Sequence, residues 1–225
     1  MNIISWDIGI KNLAYVILKE DKTKCIYEWN LINLTPNKAK CYYKKCKQTV
    51  IKYCTIDNTK LYCCDKHSKI IVSNNFKDYK YNFKIDINNL KQLLIKYLDL
   101  NILPLIYLYN VNYILIENQP CLKNPKMKSI ADTIYTWSLI RCCIDSNICN
   151  KVYYINASNK LYNIPGLSSY YNKKCKSVSI VLEYLSKNST SLLKYLNTFE
   201  KKDDLCDALL QALYWINNFN KYKKQ

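Results

Sequence analysis

Glycine is almost missing from this chain of 225 residues, which has two, Gly9 and Gly166. Folds that cradle nucleotide phosphates in successive glycine-rich loops cannot be built from that supply, which excludes actin-like and sugar-kinase ATPases, although these also open on a strand bearing Asp-x-Gly. Histidine occurs once, at His67, so no histidine base is available elsewhere. Arginine also occurs once, at Arg141, so the cationic side chains are lysines. No apolar stretch approaches the ~20 residues that span a bilayer. The N-terminus lacks the charged, apolar and small-residue succession of a secretory signal. Twelve cysteines notwithstanding, the expectation is a soluble protein of a reducing cytoplasm, including a viral replication site there, with nucleus and mitochondrion left open.

What the chain does contain is apolar residues at 49%, enough for a core in one domain over 1–225. A formal net charge of +17 favours a polyanionic partner, nucleic acid first, because clustered lysines displace phosphate counterions. Asn, Ile and Tyr are abundant too, as an AT-rich genome would encode, and part of the lysine excess follows from that bias.

Asn2 to Gly9, Leu13 to Leu18 and Cys25 to Leu31 read as three sequential strands, most simply a meander. From Thr35 to about Tyr81 the apolar periodicity lapses, and 35–81 is taken as an insertion. Ile87, Leu90, Leu94 and Leu98 make one stripe on a helix capped by Asp86. Tyr113 to Ile116 reads as a strand buried on both faces of a mixed or parallel sheet. A helix over 126–143, a strand over 151–155, a loop with Pro165 and Gly166, a helix over 176–185 and a last helix over 203–216 complete an α/β sheet with helices on its faces.

The chemistry lies in carboxylates. Asp7 stands where the first strand calls for another apolar residue, costly unless the group is solvated, hydrogen-bonded or metal-bound. Glu117 ends the most hydrophobic strand, and ligands of open α/β sheets collect at strand carboxyl ends. The last helix opens Asp203-Asp204-Leu-Cys-Asp207, with Asp204 and Asp207 on one face. Asp203 or Asp204 alone would be explained by the helix dipole; Asp207, beside Leu210, is not. Together Asp7, Glu117, Asp204 and Asp207 are a candidate set for two Mg²⁺ ions, with Asp7 bridging both.

Asp-Ile-Gly-Ile-Lys-Asn-Leu-Ala-Tyr at 7–15, Ile-Glu-Asn-Gln-Pro at 116–120 and Asp-Asp-Leu-Cys-Asp-Ala at 203–208 come in an order that resembles the RuvC-type Holliday junction resolvases, especially their poxviral, giant-virus and fungal mitochondrial branch. The resemblance spans the chain from first strand to last helix. It implies an RNase H-like mixed five-stranded sheet flanked by helices, a homodimer on four-way DNA junctions, and paired nicks with Mg²⁺ or Mn²⁺. Asp7, Glu117, Asp204 and Asp207 fall on the family's acidic positions, with Asp203 unassigned. Lys173, Lys174 and Lys176 resemble the family's basic stretch near the scissile region, here interrupted by Cys175; a solvated lysine surface explains them equally well.

The insertion has its own pattern. Cys41-x4-Cys46 and Cys64-x2-His67 supply two ligand pairs able to close a tetrahedral S₃N site around structural Zn²⁺. Cys63 is an alternative to Cys64, and Cys54 is a spare thiol. Tyr42, Tyr43, Lys44, Lys45, Lys47, Lys52 and Tyr53 either extend a DNA-binding surface or face solvent. Three further readings stay open: a zinc-containing protein that binds branched or single-stranded DNA without cutting, a nuclease on RNA–DNA hybrids, and a transposase-like strand transferase.

Overall fold

The first three apolar runs do form a meander. In the computed structural model, which describes residues 1–20, 25–35, 39–71, 73, 75–79, 86–161 and 170–219, β1 (Asn2–Asp7) pairs antiparallel with β2 (Leu13–Lys19), and β2 with β3 (Ile26–Ile32). The turn between β1 and β2 requires its glycine. A Cβ on Gly9 would lie 2.4 Å from the carbonyl oxygen of Asn12, so close backbone approach excludes any larger residue.

The chain forms two compact units, 1–34 with 86–225, and 35–85. In the second unit β4 (Lys52–Ile56), β5 (Thr59–Cys63) and β6 (Lys77–Asp78) form a three-stranded sheet, with the short α1 (Asp65–Ser68) after β5. Aperiodic sequence here conceals a hairpin. Asp57 and Asn58 carry φ of 48° and 60°, the left-handed pair that a two-residue hairpin turn needs.

The first unit continues with α2 (Ile87–Tyr97), capped as expected by Asp86, whose carboxylate accepts from Asn88 N at 3.0 Å. A π-helical segment (Leu98–Ile102) and α3 (Leu103–Leu108) follow. Then come β7 (Tyr113–Asn118), α4 (Pro125–Ser138) and β8 (Lys151–Asn156). The helix expected over 126–143 stays α-helical only to Ser138 and widens to a π-helix over Leu139–Asp145. Among the described residues a 3₁₀ turn (Ala157–Leu161) follows β8, and then come α5 (Tyr170–Asn188), longer than expected, α6 (Thr190–Asn197) and α7 (Asp203–Asn217). Pro165 and Gly166 lie outside the described residues.

Strand order is β3-β2-β1-β7-β8, with β1, β7 and β8 mutually parallel. On one face Ile3, Val16, Leu115 and Ile155 pack with Val181, Leu185, Leu205, Leu209 and Trp215 from α5 and α7. Alternation sends Ile4, Trp6, Ile114 and Ile116 to the other face, where α4 packs on β7 and on α2. Burial on both sides explains the unbroken apolar run at 113–116.

Candidate active site and metal centre

Strand pairing determines where the first two carboxylates go. Ile3 lies opposite Tyr113, Ser5 opposite Leu115 and Trp6 opposite Ile116, so one further step sets Asp7 beside Glu117. Neighbouring strands are ~4.8 Å apart, and residues at one level of a parallel pair project to the same face. Both are largely withdrawn from solvent, Asp7 at 6% and Glu117 at 8% exposure.

The third comes from α7, which runs against the strands. Trp215 stacks obliquely on Tyr113, with ring centroids 5.1 Å apart. Four residues earlier Gln211 Nε2 donates to Ser5 Oγ at 3.0 Å and to the Trp6 carbonyl at 3.2 Å. Four helical residues advance ~6 Å and two strand residues ~6.6 Å, so helix and strand stay in step. One turn before Gln211 therefore brings Asp207 to the level of Asp7 and Glu117, with Asp204 and Asp203 beyond the strand ends. Trp29 Nε1, donating to the Leu205 carbonyl at 2.9 Å, ties this end of α7 to β3.

Local hydrogen bonds fix Glu117. The Ile8 amide donates to Glu117 Oε2 at 3.3 Å, and the buried Gln119 side chain donates to the same oxygen at 2.5 Å. Sequence reasoning assigned no role to Gln119 or Gln211. Gln211 is an amide within the apolar run Ala208-Leu-Leu-Gln-Ala-Leu213, and that was the available signal; Gln119, beside Asn118 and Pro120, offered none.

Asp203 is no spare. It is buried and ion-paired to Lys174, with Lys201 Nζ at 3.6 Å; Lys201 also pairs with Asp204. Burial alone would raise the Asp203 pKa, but the hydrogen bond and charge of Lys174, aided by Lys201, outweigh it and hold the carboxyl below its ordinary value. Lys174 thus joins the acidic end of α7. Lys176 does not: two residues on, it is ~200° round the helix, exposed, and near enough to Glu183 to help lower that carboxyl. Lys173 lies in α5, but its side chain is outside the described part.

Hard carboxylate oxygens suit Mg²⁺ or Mn²⁺, and Asp7, Glu117, Asp204 and Asp207 fit such ions by donor type. Among the described residues, the group of three or more candidate ligands with donor atoms all within 4.8 Å of one another is a different one: Cys41, Cys46, Cys64 and His67. Cys41 Sγ and Cys64 Sγ lie 3.4 and 3.2 Å from His67 Nδ1, and Cys46 Sγ lies 3.7 Å from Cys64 Sγ. A tetrahedron with Zn–S ~2.3 Å and Zn–N ~2.0 Å has S–S edges of ~3.8 Å and S–N edges of ~3.5 Å. The observed spacings agree within a few tenths of an ångström, so the donor set fits Zn²⁺ through His67 Nδ1. Cys63 instead points its thiol at the Lys52 carbonyl, 3.6 Å away, and burial pushes that thiol up. Cys41 is lowered: burial opposes this, but backbone hydrogen bonds from residues 64 and 43 and bonds from the Cys46 and Cys64 thiols prevail.

No family model matches the sequence. Among curated proteins it is 29% identical to uncharacterized protein L451 of Acanthamoeba polyphaga mimivirus, over 96% of this chain and 74% of that protein. Among solved structures it resembles the yeast mitochondrial Holliday junction resolvase Ydc2 (TM-score 0.52, 18% identity, 99% of this chain and 85% of that one). It also resembles fowlpox virus resolvase, solved in complex with its substrate Holliday junction DNA (TM-score 0.50, 18% identity, 97% of this chain and 99% of that one). The chain has the RNase H-like fold of these resolvases: a mixed five-stranded sheet flanked by helices, here with a Cys/His cluster.

Proposed function

We propose that this chain is a structure-selective endonuclease that resolves four-way DNA junctions by metal-dependent phosphodiester hydrolysis. The observation that supports the reading is the β1–β7 register, which pairs Trp6 with Ile116 one step before Asp7 and Glu117, together with the Gln211–Ser5 bond one helical turn after Asp207. Asp7, Glu117, Asp204 and Asp207 are the carboxylates that would hold two Mg²⁺ or Mn²⁺ ions, with Asp7 shared between them. When bound, such ions supply Lewis acidity at the phosphate and acidify a coordinated water. Gln119 and the Ile8 amide aim Glu117, while Lys174, paired with Asp203 at the acidic end of α7, offers positive charge to the DNA backbone. Zn²⁺ held by Cys41, Cys46, Cys64 and His67 would be structural, because four protein ligands leave no open position.

Paired nicks need two sites, so the working form is a homodimer. Leu93, Ile95, Leu100, Tyr107, Leu108, Ile140 and Ile144 are exposed apolar side chains of the helical layer that includes α2 and α4 and are candidates for its seam. No described helix is long and apolar enough to cross a membrane, and the mimivirus relative supports a viral setting.

The test is cleavage of a labelled four-way junction with Mg²⁺, comparing the parent with Asp7→Asn and Glu117→Gln and using linear duplex as control. Symmetric nicks that both substitutions abolish by at least 100-fold, with junction binding retained, are expected. Junction binding without metal-dependent cutting by the parent would replace the enzyme with the non-catalytic DNA-binding reading.

A further inference from the structure

The positive charge is not spread evenly. Residues 35–85 hold twelve lysines and three aspartates, a net +9 of the chain's +17, in 51 of its 225 residues. Codon bias toward lysine acts along the whole chain and does not account for this concentration. A zinc ion with three thiolates would lower the total by one.

Most of the described lysines of this unit face outward with little to neutralise them. Lys40, Lys44, Lys45, Lys47, Lys60, Lys66 and Lys77 are exposed. The one ion pair within the unit among the described residues is Lys69 with Asp65, at 3.4 Å.

The Lys44–Lys45 step is held by the metal-ligand frame. It sits between Cys41 and Cys46, where the Cys46 amide closes a turn on the Tyr43 carbonyl at 2.8 Å and the Gln48 amide donates to Cys46 Sγ at 3.4 Å. Tyr43 lies flat on His67, with ring centroids 4.5 Å apart and planes 17° apart, yet is 53% exposed. One ring face is spent on a metal-ligand histidine and the other is open. An exposed aromatic ring held in place in a lysine-rich field has the chemistry that recognises single-stranded nucleic acid: backbone charge neutralisation with sequence-tolerant stacking.

We propose that residues 35–85 form a second DNA-binding surface, in which Lys44, Lys45 and Lys47 grip the sugar–phosphate backbone and Tyr43 stacks on an unpaired base. The proposal takes DNA as its polyanion from the functional reading above but needs none of the catalysis.

The experiment measures fluorescence anisotropy of the full zinc-loaded chain on a labelled four-way junction and on a labelled single strand. It is run across a KCl series in buffer free of other divalent metal. The variant Lys44→Gln/Lys45→Gln/Lys47→Gln is compared with a charge-matched control, Lys151→Gln/Lys187→Gln/Lys194→Gln, and zinc content is read by mass spectrometry. Three lost phosphate contacts predict a fall of about 2 to 3 in the slope of log affinity against log salt, with zinc unchanged and the control near the parent. A slope change below about 1, or an equal fall in the control, overturns the proposal. Tyr43→Ala should weaken single-strand binding about tenfold, with Tyr43→Phe restoring it; unchanged single-strand affinity in Tyr43→Ala refutes the stacking role. A chain that cuts no junction but loses slope in the first variant keeps this inference and loses the catalytic reading. A chain that cuts junctions with its slope intact does the reverse.

Discussion

Replacing Gln211 with leucine tests the register on which the candidate site depends. Gln211 is fully buried on the face of α7 that meets β1, and its Nε2 bridges Ser5 Oγ and the Trp6 carbonyl. Leucine keeps most of the volume but removes both bonds, each worth about 1 kcal/mol net, and leaves the buried Ser5 hydroxyl short of a partner at a further 1 kcal/mol or so. Part of this is offset, because Gln211 Oε1 is itself buried without a hydrogen bond among the described residues. The net loss is about 2 kcal/mol. For a chain of this length that lowers Tm by roughly 4–8 °C. Urea unfolding of the parent, Gln211→Leu, Ser5→Ala and the double variant gives the coupling between the two side chains, expected at about 1 kcal/mol. The same variant should cut junctions more slowly, since Asp207 is one turn from the lost anchor. Unchanged stability with coupling below about 0.3 kcal/mol would refute the reasoning, because Asp207 would then owe its level to something other than this contact.

Cys64→Ser should abolish stoichiometric zinc while Cys63→Ser retains it, as measured by mass spectrometry of protein purified in reducing buffer; the opposite result would put Cys63 in the metal shell. Gly9→Ala should destabilise the chain by about 1–3 kcal/mol in urea unfolding, because its Cβ would meet the Asn12 carbonyl oxygen at 2.4 Å. Asp203 has a folded pKa below its unfolded value of about 3.9, so its stabilisation is complete above that unfolded value and is lost as pH falls through the lower folded one. The stability gap between parent and Asp203→Asn should therefore be level from pH 5 to 7 and close only in stronger acid; a gap that closes near neutrality would contradict the ion pair with Lys174.

The meander, β7 and α7 were legible because each has a period fixed by what it faces. Strand β7 reads as continuous apolar residues because helices cover both its faces, and Leu205, Leu209, Ala212 and Trp215 recur at helical spacing against one sheet. The hairpin of β4 and β5 left no such trace. Four of its ten residues, at 55, 56, 59 and 60, are exposed, and its Asp57-Asn58 turn replaces the usual glycine with residues that tolerate positive φ. The widening after Ser138 was also silent, since a π-helix changes hydrogen bonding rather than composition. Asp7 and Glu117 could be singled out as carboxylates ending apolar strands. Asp203 could not be assigned, because its partner Lys174 comes from another helix, 29 residues earlier in the chain. The separation of Lys176 from Lys174 was readable in principle, as residues two apart on a helix face opposite ways.

The acidic cluster is held together against its own charge. Like charges at the ~4.8 Å spacing of neighbouring strands would repel by about 3 kcal/mol at an effective dielectric constant near 20. Burial of Ile3, Ile114, Leu115 and Trp215, each contributing about 1.5–3 kcal/mol, fixes the register that brings Asp7 beside Glu117, so the core opposes the repulsion. Ile8 N and Gln119 Nε2 soften it at Glu117, and Lys174 and Lys201 do so at Asp203 and Asp204. Nucleic acid, drawn by a net +17, would add negative charge to this place and raise the penalty. A divalent cation reverses the sign: it is attracted by the carboxylates and by the phosphate together, so metal and DNA should bind with positive cooperativity. If the affinity of a non-cleavable junction is no tighter with Ca²⁺ than without it, and Asp7→Asn leaves that comparison unaltered, these carboxylates are not the metal's ligands.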